Sequence, residues 1–144
     1  MLPPFTEHGF LPTGLHLTSI DEFEKRFVYF DQSDRRFRLF ERFRELYRQA
    51  KNSQIVQRIL AGGSFVTAKP EPNDFDCILV LNPAIPSHDL LPVEYNLLSR
   101  SRARRIFGGD VIAVIAGSAN CEMYMNLFQH TREQLPVGIV EIEL

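Results

Sequence analysis

Leu60-Ala61-Gly62-Gly63-Ser64 and, after nine intervening residues, Asp74-Phe75-Asp76-Cys77-Ile78-Leu79-Val80-Leu81 are the two segments whose reading decides the fold. The first closes a run from Gln54 that mixes β-branched and polar residues and stops at a glycine pair, the pattern of a strand ended by a turn. The second starts with alternating acids and finishes as a continuous apolar run, the pattern of a strand buried on both faces and central in its sheet. A third segment, Asp110-Val-Ile-Ala-Val-Ile-Ala116, has the same β-propensity and also opens on an acid.

Helical periodicity surrounds these strands. Ser19 or Thr18 caps a helix over about 19–28 that places Ile20, Phe23 and Phe27 on one face. Ser33 and Asp34 start a longer helix that ends near Lys51-Asn52. Its apolar stripe is Phe37, Phe40, Tyr47 with Leu39, Phe43, Leu46 and Ala50, and the opposite, solvent-facing side carries Arg35, Arg36, Arg38, Arg42, Arg44 and Arg48 among glutamates. Beyond a loop punctuated by Pro83, Pro86 and Pro92, one amphipathic helix is expected from Val93 to Ile106, with Arg100, Arg102, Arg104 and Arg105 as a basic cluster at its end. Ser118 or Asn120 caps a last helix that turns Met123, Tyr124, Leu127 and Phe128 inward, and Val137 to Leu144 forms a closing strand. Strands and helices in this order give an α+β (mixed α/β) domain, a small mixed β-sheet packed with helices.

At 144 residues the chain is one domain. Residues 1–17, rich in proline and glycine, read as an irregular N-terminal arm, and 18–144 as the single folded domain. The 16 basic and 18 acidic residues nearly cancel, so any binding to nucleic acid has to be local. No apolar run is long enough to span a membrane and the start lacks the pattern of a signal peptide, so no membrane partner and a cytoplasmic location are expected. The two cysteines, Cys77 and Cys121, lie in apolar settings and read as small core residues. The four histidines, His8, His16, His88 and His130, have no metal-ligand spacing and read as surface or loop residues.

The chemistry concentrates in the acids and the glycine turn. Side chains alternate along a strand, so Asp74 and Asp76 share one face while Phe75 and Cys77 take the other. If Asp110 stands on the adjacent strand, three carboxylates meet, and two of them about 4 Å apart repel by about 4 kcal/mol at an effective dielectric of 20. Either a proton or a divalent cation relieves that repulsion, and an all-oxygen site with few ligands suits Mg²⁺, which keeps water and phosphate oxygens in its shell. The turn Gly62-Gly63-Ser64 is suited to phosphate, because backbone without Cβ approaches closely and the Ser64 hydroxyl adds a donor. Gly109 leaves open whether Asp110 begins the third strand or belongs to the turn before it.

This constellation resembles the polymerase-β-like nucleotidyltransferase superfamily: a hydrophobic strand, Gly-Gly-Ser, a gap of about ten residues, Asp-x-Asp in a second strand and a third acid in a later one. The segments Gly-Phe-Leu-Pro-x-Gly and Gly-Ser-Phe-Val-Thr-x-Lys-Pro-x-Pro-x-Asp-x-Asp are similar to a family of small bacterial proteins assigned to it. The resemblance runs from Gly9 to about Ala116 and implies a nucleotidyltransferase fold and activity. By it, Gly62, Gly63 and Ser64 would hold the phosphates of a nucleoside triphosphate, with Lys69 as a nearby point charge. Asp74, Asp76 and Asp110 would bind two Mg²⁺ ions and carry catalysis, transferring a nucleoside monophosphate to a hydroxyl on a protein or RNA. It also implies a bacterial toxin–antitoxin or defence setting with a partner protein. A non-catalytic module that keeps the fold and acts through a partner is the alternative.

Overall fold

The computed structural model describes residues 1–29, 34–84 and 90–144. Ser33, Pro86 and His88, named above, lie outside the described residues. In chain order the elements are β1 (Gly14–Thr18), α1 (Ile20–Phe27), α2 (Arg35–Ser53), β2 (Val56–Gly62), β3 (Asp76–Leu81), α3 (Pro92–Leu98), α4 (Arg100–Phe107), β4 (Asp110–Ile115), α5 (Ala119–Phe128) and β5 (Gly138–Ile142). The strands form one sheet in the order β1-β5-β2-β3-β4. The pairs β1/β5 and β3/β4 are parallel, and β5/β2 and β2/β3 antiparallel, so the domain is α+β with a mixed sheet. Among the described residues no helix is long and apolar enough to cross a membrane.

Strand alternation divides the core in two. Ile59, Ala61, Cys77, Leu79, Val111 and Val140 point to the layer of α1 to α4, while Leu60, Ile78, Val80, Ile112 and Ile139 point to α5. Both faces of β3 are therefore buried, as its apolar run predicts; β3 is interior, but the middle position in the sheet belongs to β2. The helical side is built on phenylalanine. Phe23 stacks on Phe43 at 5.1 Å and on Phe65 at 5.8 Å, and Phe43 meets Phe75 edge-on at 5.3 Å. Phe65 and Phe75 flank Ser64, Asp74 and Asp76 in sequence, so the core that holds the helices also anchors the segments bearing the polar residues.

Four elements differ from expectation. The arm is not irregular throughout: Gly14–Thr18 pairs with β5 as an edge strand, too short and too closely preceded by turn-formers for its alternation to stand out. The expected helix over 93–106 is two helices, because Ser99 leaves the helical conformation and its hydroxyl accepts from the Arg102 amide to cap a new one. On α5, Cys121 is buried and Tyr124, Met125 and Phe128 pack on the sheet, whereas Met123 and Leu127 are exposed. On α2 the buried stripe is Arg36, Phe40, Phe43, Leu46 and Ala50, which exposes Phe37 and places an arginine in the core.

Phe43, buried and in contact with the rings of Phe23, Phe40 and Phe75, leaves a cavity when truncated. Phe43→Ala is expected to lower the unfolding free energy by about 3–5 kcal/mol, read by denaturant titration, with Phe37→Ala within about 1 kcal/mol of the parent.

Candidate functional site

The last residue of β2 and the first residues of β3, β4 and β5 all lie at one end of the sheet. Gly62 pairs with Asp76, and Asp76 pairs with Asp110, so these three stand in a row across adjacent strands. Asp110 is the first residue of β4, and its amide donates to the Phe75 carbonyl at 2.9 Å. The question left by Gly109 is answered by packing: a Cβ there would lie 2.2 Å from the Phe75 ring, so only glycine lets Phe75 reach the core beside Asp110. Asp74 precedes β3 and projects to the side of Asp76, while Phe75 and Cys77 are buried on the other.

Gly63 has φ +71°, in the region that favours glycine, and a Cβ built on it would stand 2.1 Å from Asp76 Oδ2. The turn backbone and the Asp76 carboxylate thus share a space that no side chain at 63 could enter. Ser64–Val66 continue as one 3₁₀ turn, pinned by Phe65 and Val66 in the core. The Thr67 hydroxyl donates to the Ser64 carbonyl at 2.7 Å.

Beneath this loop lies Arg36, 1% exposed. Its guanidinium donates to the carbonyls of Phe27 (2.9 Å), Phe65 (2.7 Å), Thr67 (2.7 Å) and Lys69 (2.6 Å), and its plane lies 5.0 Å from the centre of the Phe65 ring. It belongs to the buried stripe rather than to the solvent-facing basic side of α2. Counting back four and seven residues from Phe40 and Phe43 lands on position 36, a periodic signal that its charge obscures.

The acids are not bare. Arg100 makes a two-point contact with Asp110, Nε to Oδ1 at 2.7 Å and Nη2 to Oδ2 at 2.8 Å, and Arg104 Nη1 donates to Asp74 Oδ2 at 2.7 Å. Arg102 and Arg105 of the same cluster are exposed. The Arg100 contact holds the Asp110 carboxyl below the usual carboxylate range. Burial, then the negative charges of Asp74 and Asp110, push the Asp76 carboxyl up to about 6. Among the described residues no group of three or more His, Cys, Asp or Glu side chains is arranged to hold a metal ion, consistent with two of the three aspartates being turned to arginine.

A cleft of about 790 Å³ opens beside the row. Gly63, Ser64, Thr67, Lys69, Asp74 and Asp76 line one wall; the other is made by the N-terminal arm around His8 and Phe10 and by Phe128 and His130 to Glu133. The candidate residues are therefore divided. Gly63, Ser64, Lys69, Asp74 and Asp76 face the cleft, Gly62 is buried behind the Phe128 ring, and Asp110 stands at the far side of Asp76 on Arg100. His8 and His130, read as ordinary loop residues, reach the cleft, and no sequence spacing marks them. Cys77 and Cys121 are free and buried, and burial pushes the Cys77 thiol up, away from reactivity.

A family model described as a family of unknown function (DUF6932) matches residues 3–143. This chain belongs to the DUF6932 family. No curated protein and no solved structure matches it. The DUF6932 model extends over the arm, the sheet and α5, so every wall of the cleft lies within the family unit.

An acid whose carboxyl is raised by folding contributes stability that is full below its unfolded value near 4 and is lost as pH rises through about 6. Asp76→Asn is therefore expected to raise the melting temperature of the metal-free protein at pH 7.5, with the gain vanishing at pH 4, as followed by thermal unfolding across that range. Arg36→Met, which leaves four backbone carbonyls without their shared donor, is expected to cost about 3–5 kcal/mol in denaturant titration.

Proposed function

We propose that this protein is an Mg²⁺-dependent nucleotidyltransferase that moves a nucleoside monophosphate from a nucleoside triphosphate to a hydroxyl on a protein or RNA. The observation that carries the reading is the row Gly62, Asp76, Asp110 across three strands, with Asp74 beside Asp76 and the Gly63-Ser64 turn against the Asp76 carboxylate. It supports the likeness to the polymerase-β-like superfamily drawn from the motifs. Asp74, Asp76 and Asp110 are the residues that would hold Mg²⁺. The donor set fits a hard dication, since it is all carboxylate oxygen, and such an ion relieves both the burial and the neighbouring negative charges that raise Asp76. When bound, the metal supplies charge neutralisation of the phosphates and a fixed line of attack.

The chain's own residues do the rest. The Gly63-Ser64 turn and Lys69 receive the outer phosphates, placing the α-phosphorus before Asp76. Asp110, on the side away from the cleft, takes the proton of the acceptor hydroxyl as its oxygen bonds to the α-phosphorus and the bond to the β-phosphate breaks, releasing pyrophosphate. A second, shallower groove lined by Arg35, Arg38 and Arg42 shares Asn73 with the cleft and gives a polyanionic acceptor a place beside it. The expected setting is a toxin–antitoxin or defence pair with a partner protein.

One observation favours the second reading, a non-catalytic module working through a partner: Arg100 and Arg104 already neutralise two of the three acids. The two readings separate in one assay. Incubation with α-phosphate-labelled triphosphates, Mg²⁺, cellular RNA and protein is expected to label an acceptor, with a loss of about 100-fold or more in Asp74→Ala/Asp76→Ala. Absent labelling, or labelling undiminished by the substitutions, overturns the enzymatic reading.

A further inference from the structure

Arg100 and Arg104 lie one turn apart on α4, so their side chains leave the helix on the same face. The helix under them is fixed: Ala103 and Phe107 are buried, and Ser99 caps its start. The arginine tips are not fixed in the same way. Their side chains are 59% and 51% exposed, whereas Asp110 and Asp74, their partners, are 20% and 28% exposed. Each pair thus joins a rim-mounted, solvated cation to a carboxylate set further into the site. Exposed ion pairs contribute little to stability, so a stronger cation at the carboxylate displaces them readily. Asp76, flanked by both acids, bonds to neither arginine.

Resting on the nucleotidyltransferase reading, we infer that Arg100 and Arg104 are exchangeable counter-ions that become the polyphosphate clamp. In the structure they occupy Asp110 and Asp74. When a divalent cation takes those carboxylates, the two guanidinium groups, still tethered at the rim, turn to the phosphate oxygens of the triphosphate, for which their planar fork is well matched. Metal alone has to expel both arginines and leave them beside a dication. Polyphosphate alone has to draw them off their acids. Together the ligands satisfy every charge, so each strengthens the other's binding by the same factor.

The arginines therefore oppose metal and favour metal–polyphosphate, and their removal separates the two. The test uses the full chain and Arg100→Gln/Arg104→Gln, both exposed positions, with the fold of the variant checked by circular dichroism and Mn²⁺ as the metal probe read by its free-ion paramagnetic resonance. Inorganic tripolyphosphate premixed with Mn²⁺ is the second probe, read by calorimetry. The expected result is Mn²⁺ alone binding about tenfold more tightly to the double variant, and the Mn²⁺–tripolyphosphate complex about tenfold more weakly. Both affinities moving in the same direction, or neither moving, overturns the inference and leaves the metal site standing if Asp76→Asn abolishes Mn²⁺ binding. If Mn²⁺ binds neither the parent nor the double variant, the inference falls together with the reading it rests on.

Discussion

A guanidinium taken out of water costs several kcal/mol unless its N–H groups find acceptors, and Arg36 meets that condition with the backbone of the segment it supports. The carbonyls of Phe65, Thr67 and Lys69 converge on it from above and that of Phe27 from below. The loop between β2 and β3 has few regular hydrogen bonds of its own beyond one 3₁₀ turn. With its carbonyls gathered inward, the loop presents Ser64, Thr67 and Lys69 to the cleft. The same arginine ties this loop to α2 and to the end of α1, so the turn, the helical layer and the phenylalanine core form one unit.

Packing and charge set the acids in a similar way. Phe75 sits between Asp74 and Asp76 in sequence and plunges into the core, which forces its neighbours outward. Glycine at 63 and at 109 removes the two Cβ atoms that would collide with Asp76 and with Phe75. The result is carboxylate brought beside carboxylate, with Asp110 and Asp74 paired to Arg100 and Arg104, while burial and then its two acidic neighbours push the Asp76 carboxyl up to about 6. A site that concentrates negative charge beside a backbone turn and flanks it with solvent-exposed cations has the charge pattern that exchange of those cations for a dication and a polyanion requires. That exchange is the step which the inferred counter-ion role of Arg100 and Arg104 adds to the proposed function.

Much of the fold was legible because it rests on local pattern. The apolar run of β3, the β-branched β4 and the period of α2 need only side-chain alternation and core burial to be read. The glycine turn and the paired acids were legible as a juxtaposition because β2 and β3 are neighbours in the chain and pair directly. What the sequence hid depends on long-range partners. Arg36 reads as a surface charge until the carbonyls 29 to 33 residues away are seen to meet it. The reach of Arg100 to Asp110, and of Arg104 to Asp74 thirty residues back, depends on the break at Ser99 that turns α4 toward the acids. β1 escaped notice because its partner, β5, lies at the opposite end of the chain.

The proposed function requires that Asp74, Asp76 and Asp110 form one cation site beside the Gly63-Ser64 turn. Anomalous diffraction from crystals grown with Mn²⁺ and a non-hydrolysable nucleoside triphosphate tests it most directly. The expected result is Mn²⁺ bound by Asp76 together with Asp74 or Asp110, and phosphate oxygens at the turn. Crystals in which the triphosphate and Mn²⁺ lie elsewhere, with Arg100 and Arg104 still seated on their aspartates, would contradict it.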